Sequence, residues 1–243
     1  MTSSAPQGIV AVWVNVLPEH RSEFEQFHNC EHMPQRLTCP GFQVGRRYRA
    51  LGDEHDYLAI YEGDTPEAFR SETYLDQLNR PTPWSRRMLP PTHGVQRAIY
   101  ELAASHGAEP VPDAPYVLIV RLNPPEGPNA DPALLGWYRE EHLPRLCGVE
   151  GVFRARLFRN VEEISNIPTT ERKWQGTAVC EQAYLALYEI VSPDLPGSDA
   201  WQKAAWGTAR SREMRGKLRD LTRERYWLHF ACRPPGRPPH RPE

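Results

Sequence analysis

The sequence predicts an α+β fold built from two βαββαβ copies in one chain. Three observations carry that expectation. A motif block recurs at a fixed offset, a pair of strand-like runs recurs after it, and the order of elements is the same within each copy. The block "FHNCEHMPQRLTCPGF" (27–42) lies over "WYREEHLPRLCGVEGV" (137–152) without a gap, at an offset of 110 residues. Phe27 meets Trp137, Glu31 meets Glu141, His32 meets His142, Pro34 meets Pro144 and Gly41 meets Gly151. The register runs on to Arg46 over Arg156 and Tyr48 over Phe158. "YLAIYE" (57–62) then lies over "YLALYE" (184–189) at an offset of 127, which also places Ser71 on Ser198 and Tyr74 on Trp201. The second copy therefore holds 17 extra residues, within 160–183. Self-similarity of this kind is read before any single element, because it fixes the architecture.

The elements follow in order. "GIVAVWVNV" (8–16) is short and β-branched, which predicts a strand. In "PEHRSEFEQFHNCEH" (18–32) Phe24 and Phe27 stand at helical spacing. That helix should stop near Met33, since the residue before a proline avoids the α region. "FQVGRRYRA" and "YLAIYE" read as strands around a short turn. After Thr65 a helix is expected, with Thr65 as N-cap and Pro66 at its first position. "RAIYEL" (97–102) and "RYWLHF" (225–230) close the two copies as strands. The resulting order is the split, ferredoxin-like unit. Helices cover one face of such a sheet. Two copies suggest that the uncovered faces pack sheet to sheet in a barrel-like sandwich, with a pocket between the sheets. The domains are expected at 8–102 and 116–231. Between them lies an Ala/Gly/Pro-rich linker (103–115), and after them a Pro/Arg-rich tail (232–243) that should be flexible.

Bulk properties narrow the partners. A formal charge of −2 gives no electrostatic case for nucleic acid or an anionic membrane. No apolar run approaches the length of a spanning helix, and the N-terminus carries no signal pattern, which predicts a cytoplasmic protein. The five cysteines are odd in number and show no C-x-x-C spacing, as fits reduced thiols, buried or incidental.

The repeated Glu-His-x-Pro, with Pro-Gly-Phe or Glu-Gly-Val after it and then "RRYRA" and "YLAIYE", resembles the dimeric α+β barrel superfamily. Within it, the chain is similar to the EthD-like and uncharacterised branch. The resemblance covers about 9–102 and 116–230 and implies an intrachain dimeric α+β barrel. It also implies a choice among cofactor-free monooxygenases, polyketide cyclases, lactone isomerases, aldoxime dehydratases and haem-binding enzymes. Fold does not choose among these.

"HNCEH" (28–32) also spells H-x-x-E-H, an inverted zinc-protease signature. The repeat serves as an internal control: Tyr138 stands where His28 would be needed, so the recurring element is Glu-His-x-Pro and no metal is assigned. His32 and His142 are the candidate catalytic residues. Each is expected at a helix C-terminus, where the dipole favours the imidazolium, and each could give or take a proton. The competing reading has them capping carbonyls under the next loop. His28, Tyr138, Glu31 and Glu141 are candidate substrate-binding neighbours. The two glutamates lie some 100° around the helix from their histidines, and a salt bridge is their commoner fate.

In the first strands, Val10, Val12, Val14 and Val16 form an aliphatic face that suits helices. Trp13 and Asn15, with Arg121 and Asn123 in the second copy, form the other face. These four are candidates for a polar-tipped pocket in which an arginine holds a carboxylate or enolate, unless Arg121 pairs with a carboxylate of the protein. Trp174, in the insertion, is placed on a lid over one pocket.

No G-x-G-x-x-G, G-x-x-x-x-G-K-[ST] or G-x-S-x-G occurs, so nucleotide cofactors and a serine nucleophile have no support. No cofactor is assigned; a lone histidine leaves haem open without arguing for it. The functional expectation is a cofactor-independent acid–base enzyme, an isomerase, cyclase or lyase such as a dehydratase. Its substrate would be small, partly apolar, and aromatic or polyketide-like. A cofactor-free or haem-dependent monooxygenase and a non-catalytic binding or accessory protein are the alternatives. A monomer with internal pseudo-two-fold symmetry and a homodimer are both open.

Overall fold

The computed structural model describes residues 5–52, 55–109 and 113–235. It begins with β1 (Gly8–Val16), α1 (Arg21–Phe27), a π turn (His28–His32) and α2 (Met33–Arg36). Next come β2 (Phe42–Ala50), β3 (Tyr57–Gly63), a 3-10 turn (Pro66–Arg70), α3 (Glu72–Asn79), α4 (Pro83–Met88) and β4 (Thr92–Gly107). The second half repeats this order: β5 (Tyr116–Asn123), α5 (Ala130–Trp137), a π turn (Tyr138–His142), α6 (Leu143–Cys147) and β6 (Val152–Asn160). The insertion supplies α7 (Glu162–Ser165) and α8 (Thr170–Gln175). The chain continues through β7 (Tyr184–Ile190), α9 (Asp199–Trp206), α10 (Ala209–Lys217) and β8 (Arg219–Cys232). The strands form a closed antiparallel barrel in the order β1-β3-β2-β8-β5-β7-β6-β4. This is the α+β barrel class that the sequence predicts.

The chain divides into two compact units. Unit 1 holds residues 1–101, 161–180 and 229–243; unit 2 holds 102–160 and 181–228. In unit 1, β3 lies between β1 and β2, and β4 pairs with the other edge of β1. The aliphatic face of β1 meets the helices, as its alternation requires: Val14 and Val16 pack with Phe24, Phe27 and Met88. In unit 2, Leu118, Val120 and Leu122 pack with Leu134, Trp137 and Leu146. Each such side chain, fully buried, is worth about 1.5–3 kcal/mol. The turn that leads from each motif helix into the next strand needs a left-handed residue. Gly41 and Gly151 fill it, with φ of 85° and 92°.

The opposite faces of the strands carry buried ion pairs at repeat-related positions. Arg46 Nη1 donates to Glu62 Oε1 at 2.8 Å. Arg154 Nη2 donates to Glu189 Oε1 at 2.8 Å, and Arg156 Nη2 lies 3.4 Å from Glu189 Oε2. Charges out of water persist only when paired in this way.

Several boundaries differ from expectation. The motif helix does not stop at Met33, which is helical at φ −68°, ψ −45°. The stretch after Thr65 is broken: Thr65 precedes a 3-10 turn without a side-chain cap bond, and extended Ser71 interrupts the chain before α3. Strand β4 continues to Gly107, so 103–107 are strand and not linker, because their backbone finds a partner in the barrel. Strand β8 likewise takes in Cys232. Residues 110–112 of the expected linker and 236–243 of the expected tail lie outside the described residues. Among the described residues no helix is long and apolar enough to cross a membrane.

Arg46→Met leaves Glu62 buried without this partner and is expected to cost about 3–5 kcal/mol in a denaturant melt. Arg46→Met with Glu62→Leu should recover much of that loss.

Candidate functional site

The Glu-His-x-Pro motif sits inside a continuous helical run, at a π turn. Pro34 and Pro144 have no N–H, and in an α-helix their rings would meet the carbonyl four residues back. The turn before each proline is widened instead. Met33 N donates to His28 O, and Leu143 N to Tyr138 O, both across five residues. Widened turns of this type recur at functional sites.

The widened turn aims its side chains at the sheet. In unit 1, the rings of His28 and His32 stack at 4.8 Å with planes 14° apart. In unit 2, Tyr138 replaces His28 and meets His142 edge-on at 5.1 Å. The two glutamates point elsewhere. Glu141 accepts from Ser211 Oγ at 2.6 Å and from Thr208 Oγ1, the residue that caps α10 through Ser211 N. Glu31 accepts from Thr82 Oγ1, which caps α4 through Ser85 N. Both carboxylates thus fasten the next helix to the motif helix and do not line the cavities described below. Burial pushes the Glu141 carboxyl up, but the bonds from Ser211 and Thr208 outweigh it and leave it below the ordinary range.

Each unit contains a cavity between its own sheet and its own helices. This differs from the expected pocket between sheets: Val12 and Val14, on the helix-facing side of β1, line one of the two. None of Trp13, Asn15, Arg121 and Asn123 lines either. Trp13 is fully buried core. Arg121 Nη2 is paired with Glu224 Oε1 at 2.6 Å. Asn15 and Asn123 stand where the register of β1 and β5 shifts. There Asn15 Oδ1 accepts from Asp56 N at 2.9 Å, and Asn123 Oδ1 from Ala183 N at 2.7 Å. Asp56 and Ala183 lie just before β3 and β7, where the ladders with β1 and β5 end, and a short amide on the neighbouring strand answers the N–H there.

The unit 2 cavity measures about 280 Å³. His142 lies in it, its ring 4.2 Å from that of Trp137 and 5.5 Å from that of Trp206. His142 Nε2 is 3.1 Å from Tyr188 Oη, and Tyr188 in turn shares a hydrogen bond with Tyr138. Burial holds His142 down to about 3, against the raising pull of Glu141. Burial also pushes Tyr138 and Tyr188 up. All three are neutral at pH 7, so the expected dipole-stabilised imidazolium is not formed: the helical run continues past His142 into α6, and burial in an aromatic box disfavours the charge. Around the cavity stand Arg215, Arg223 and Arg225, with no carboxylate among its lining residues. Arg215 lies 4.8 Å over the Trp206 ring.

The unit 1 cavity is smaller, about 50 Å³. The insertion covers it: Thr169, Glu171, Arg172 and Gln175 all line it. Glu171 Oε1 accepts from Arg36 Nη2 at 2.6 Å, and both side chains are buried. Burial holds both His28 and His32 well below the ordinary histidine value, with Arg47 and Arg36 adding to it for His28, and Arg36 and His28 for His32. Trp174 stays 39 % exposed, under the guanidinium of Arg86 at 5.9 Å. It belongs to the covering segment without lining the cavity.

Among the described residues no group of three His, Cys, Asp or Glu side chains is placed to hold a metal. The space beside His28 and His32 is far too small for a tetrapyrrole.

Sequence reasoning found His32, His142, His28 and Tyr138, which do line the cavities. It missed Arg223 and Arg225. Their alternation in "RDLTRERYW" places both on one face of β8, opposite Val120 and Leu118. It also missed Glu171 and Arg172, whose segment belongs to the second copy in sequence but to unit 1 in space.

No protein-family model and no curated protein sequence matches this chain. Solved structures do. A candidate monooxygenase of Lactobacillus acidophilus superposes with a TM-score of 0.57 at 6 % identity, covering 94 % of this chain and 97 % of its own. One of Fusobacterium nucleatum superposes with a TM-score of 0.57 at 8 % identity, covering 95 % and 96 %. An anthrone oxidase-like protein does so with a TM-score of 0.56 at 13 % identity, covering 96 % and 95 %. At these identities the likeness is one of fold, an antiparallel barrel with helices.

Two outcomes follow from the buried groups. A histidine whose pKa is lowered on folding weakens the fold as pH drops below its ordinary 6.5, because the unfolded chain takes up the proton first. Between pH 6.5 and 4.5, His142→Gln should lose about 2–3 kcal/mol less stability than wild type in parallel denaturant titrations. Glu141→Ala, which strips Ser211 and Thr208 of their acceptor, should cost about 1–3 kcal/mol at pH 7. The share due to the lowered carboxyl is fully present above its ordinary 4.5 and fades as pH falls through the folded value.

Proposed function

We propose that unit 2 carries the active site of a cofactor-independent enzyme that moves a proton on a small, partly apolar, enolisable compound. One observation carries this reading. A neutral histidine is joined to two neutral tyrosines inside an aromatic cavity, around which stand three arginines and no carboxylate. The apolar part of the substrate lies against Trp201, Trp206 and Leu118. His142, uncharged, takes the substrate proton through the Tyr188 hydroxyl, which passes its own proton to Nε2. The enolate left behind is stabilised by the guanidiniums of Arg223 and Arg225, whose charge is worth more at an apolar wall than in water. Return of the proton to a second carbon completes an isomerisation; loss of a leaving group completes an elimination.

A second reading uses the same first step. An enolate can react with dioxygen, so that a CH₂ beside a carbonyl plus O₂ gives a new carbonyl plus water. The fold likeness to proteins described as monooxygenases and anthrone oxidase-like supports keeping it.

The test is exchange of the acidic carbon-bound hydrogen of bound phenolic and β-dicarbonyl compounds with D₂O, followed by NMR. His142→Gln and Tyr188→Phe should each slow exchange by about 10²–10⁴. Saturable binding without exchange above the buffer rate would make unit 2 a binding protein. Oxygen consumption in step with substrate loss would select the oxygenase.

A further inference from the structure

We infer that the cavity of unit 1 is a second binding site, specific for a small oxyanion held between Arg97 and Arg172. Arg97, on β4, is 8 % exposed. Among the described residues it makes no ion pair: Nη1 reaches Ser165 O at 3.4 Å and Nη2 reaches Tyr74 Oη at 3.5 Å, both at the long limit of a hydrogen bond. Arg172, on α8, donates through Nη1 to the same Ser165 carbonyl. Two guanidiniums therefore share one neutral acceptor. Burial weakens the charged form of Arg172, and the nearby charge of Arg97 weakens it further. Glu171, the carboxylate among the lining residues, is taken up by Arg36. Among its described lining residues Arg36, Arg97 and Arg172 face Glu171 alone, whose charge Arg36 and, more weakly, Arg97 feel; the buried Arg97 guanidinium and the half-buried Arg172 beside it are left in excess, and buried charges in folded proteins are paired.

Other groups fit the same ligand. His28 and His32 are neutral and line the space, and their buried Nδ1 atoms have no partner. Size sets the class. About 50 Å³ is room for roughly three to five water-sized atoms, which suits acetate or inorganic phosphate and no aromatic ring. Two planar forks flanking one space match the oxygens of a carboxylate or phosphate. The repeat-related cavity of unit 2 lacks a covering insertion and is larger, so the two sites differ in ligand as well as in shape.

The experiment uses the full chain, with acetate and phosphate titrated separately in chloride buffer at fixed ionic strength. Two readouts are followed: the thermal midpoint, and the rate at which trypsin cuts after Lys173 on α8. At least one of the two oxyanions should raise the midpoint saturably and slow the cut at Lys173. Which of them does so identifies the ligand type. Arg97→Gln and Arg172→Gln should each weaken the response roughly ten- to hundredfold. Arg172 is only half-buried, so its variant serves if Arg97→Gln does not fold. Arg223→Gln, in unit 2, should leave the protection of Lys173 intact. A response equal to that of chloride overturns the proposal, as does one lost in Arg223→Gln and kept in Arg172→Gln.

Discussion

Two prolines set the geometry on which each unit depends. Pro34 and Pro144 cannot donate to the α ladder, and their rings crowd the carbonyl one turn back. The helix could have ended there. It runs on, because the turn before the proline widens and Met33 and Leu143 find acceptors five residues away. That one adjustment rotates the motif. His32 and His142 come to face the sheet, while Glu31 and Glu141 come to face the caps of α4 and α10. The motif is thus a joint with two arms: the imidazole serves the cavity, and the carboxylate fastens the helix that helps to wall it.

Burial decides the chemistry of the histidine. At an exposed helix end an imidazolium gains modestly from the dipole. Inside a box of Trp137, Trp206 and Tyr188 the cost of an unsolvated charge is larger, and the ring stays neutral. Elsewhere buried charge is handled by pairing, with Arg46 on Glu62, Arg36 on Glu171 and Arg121 on Glu224. Arg47 and Arg97 depart from that pattern: among the described residues Arg47 reaches the Glu25 carbonyl and the His229 ring, and Arg97 a distant carbonyl and a tyrosine hydroxyl.

The insertion makes the units unequal. Residues 161–180, part of the second copy by sequence, lie in unit 1, where α8 docks through a buried ion pair and lines the cavity under it. Without such a cover, the unit 2 cavity stays about five times larger. Each unit holds a pocket beside its motif helix, and the segment over the unit 1 pocket makes the two differ in volume and lining.

Strand identity, element order and the duplicated motif could be read from residue order, because periodicity and repeat offsets are local, one-dimensional signals. The aliphatic face of β1 and the turn glycines followed from the same alternation and spacing. Other features depended on packing. Whether the helix would stop at its proline turned on how the turn could relax, which the identity of the proline does not specify. The role of Arg121 was settled by the arrival of Glu224, 103 residues away, and the roles of Asn15 and Asn123 by the backbone N–H groups of Asp56 and Ala183 that the neighbouring strands bring to them. The sequence by itself determined two copies of a βαββαβ barrel unit with a histidine before each proline. Only the tertiary structure decided which histidine faces a roomy cavity and which a covered one, because that depends on where a non-repeated segment comes to rest.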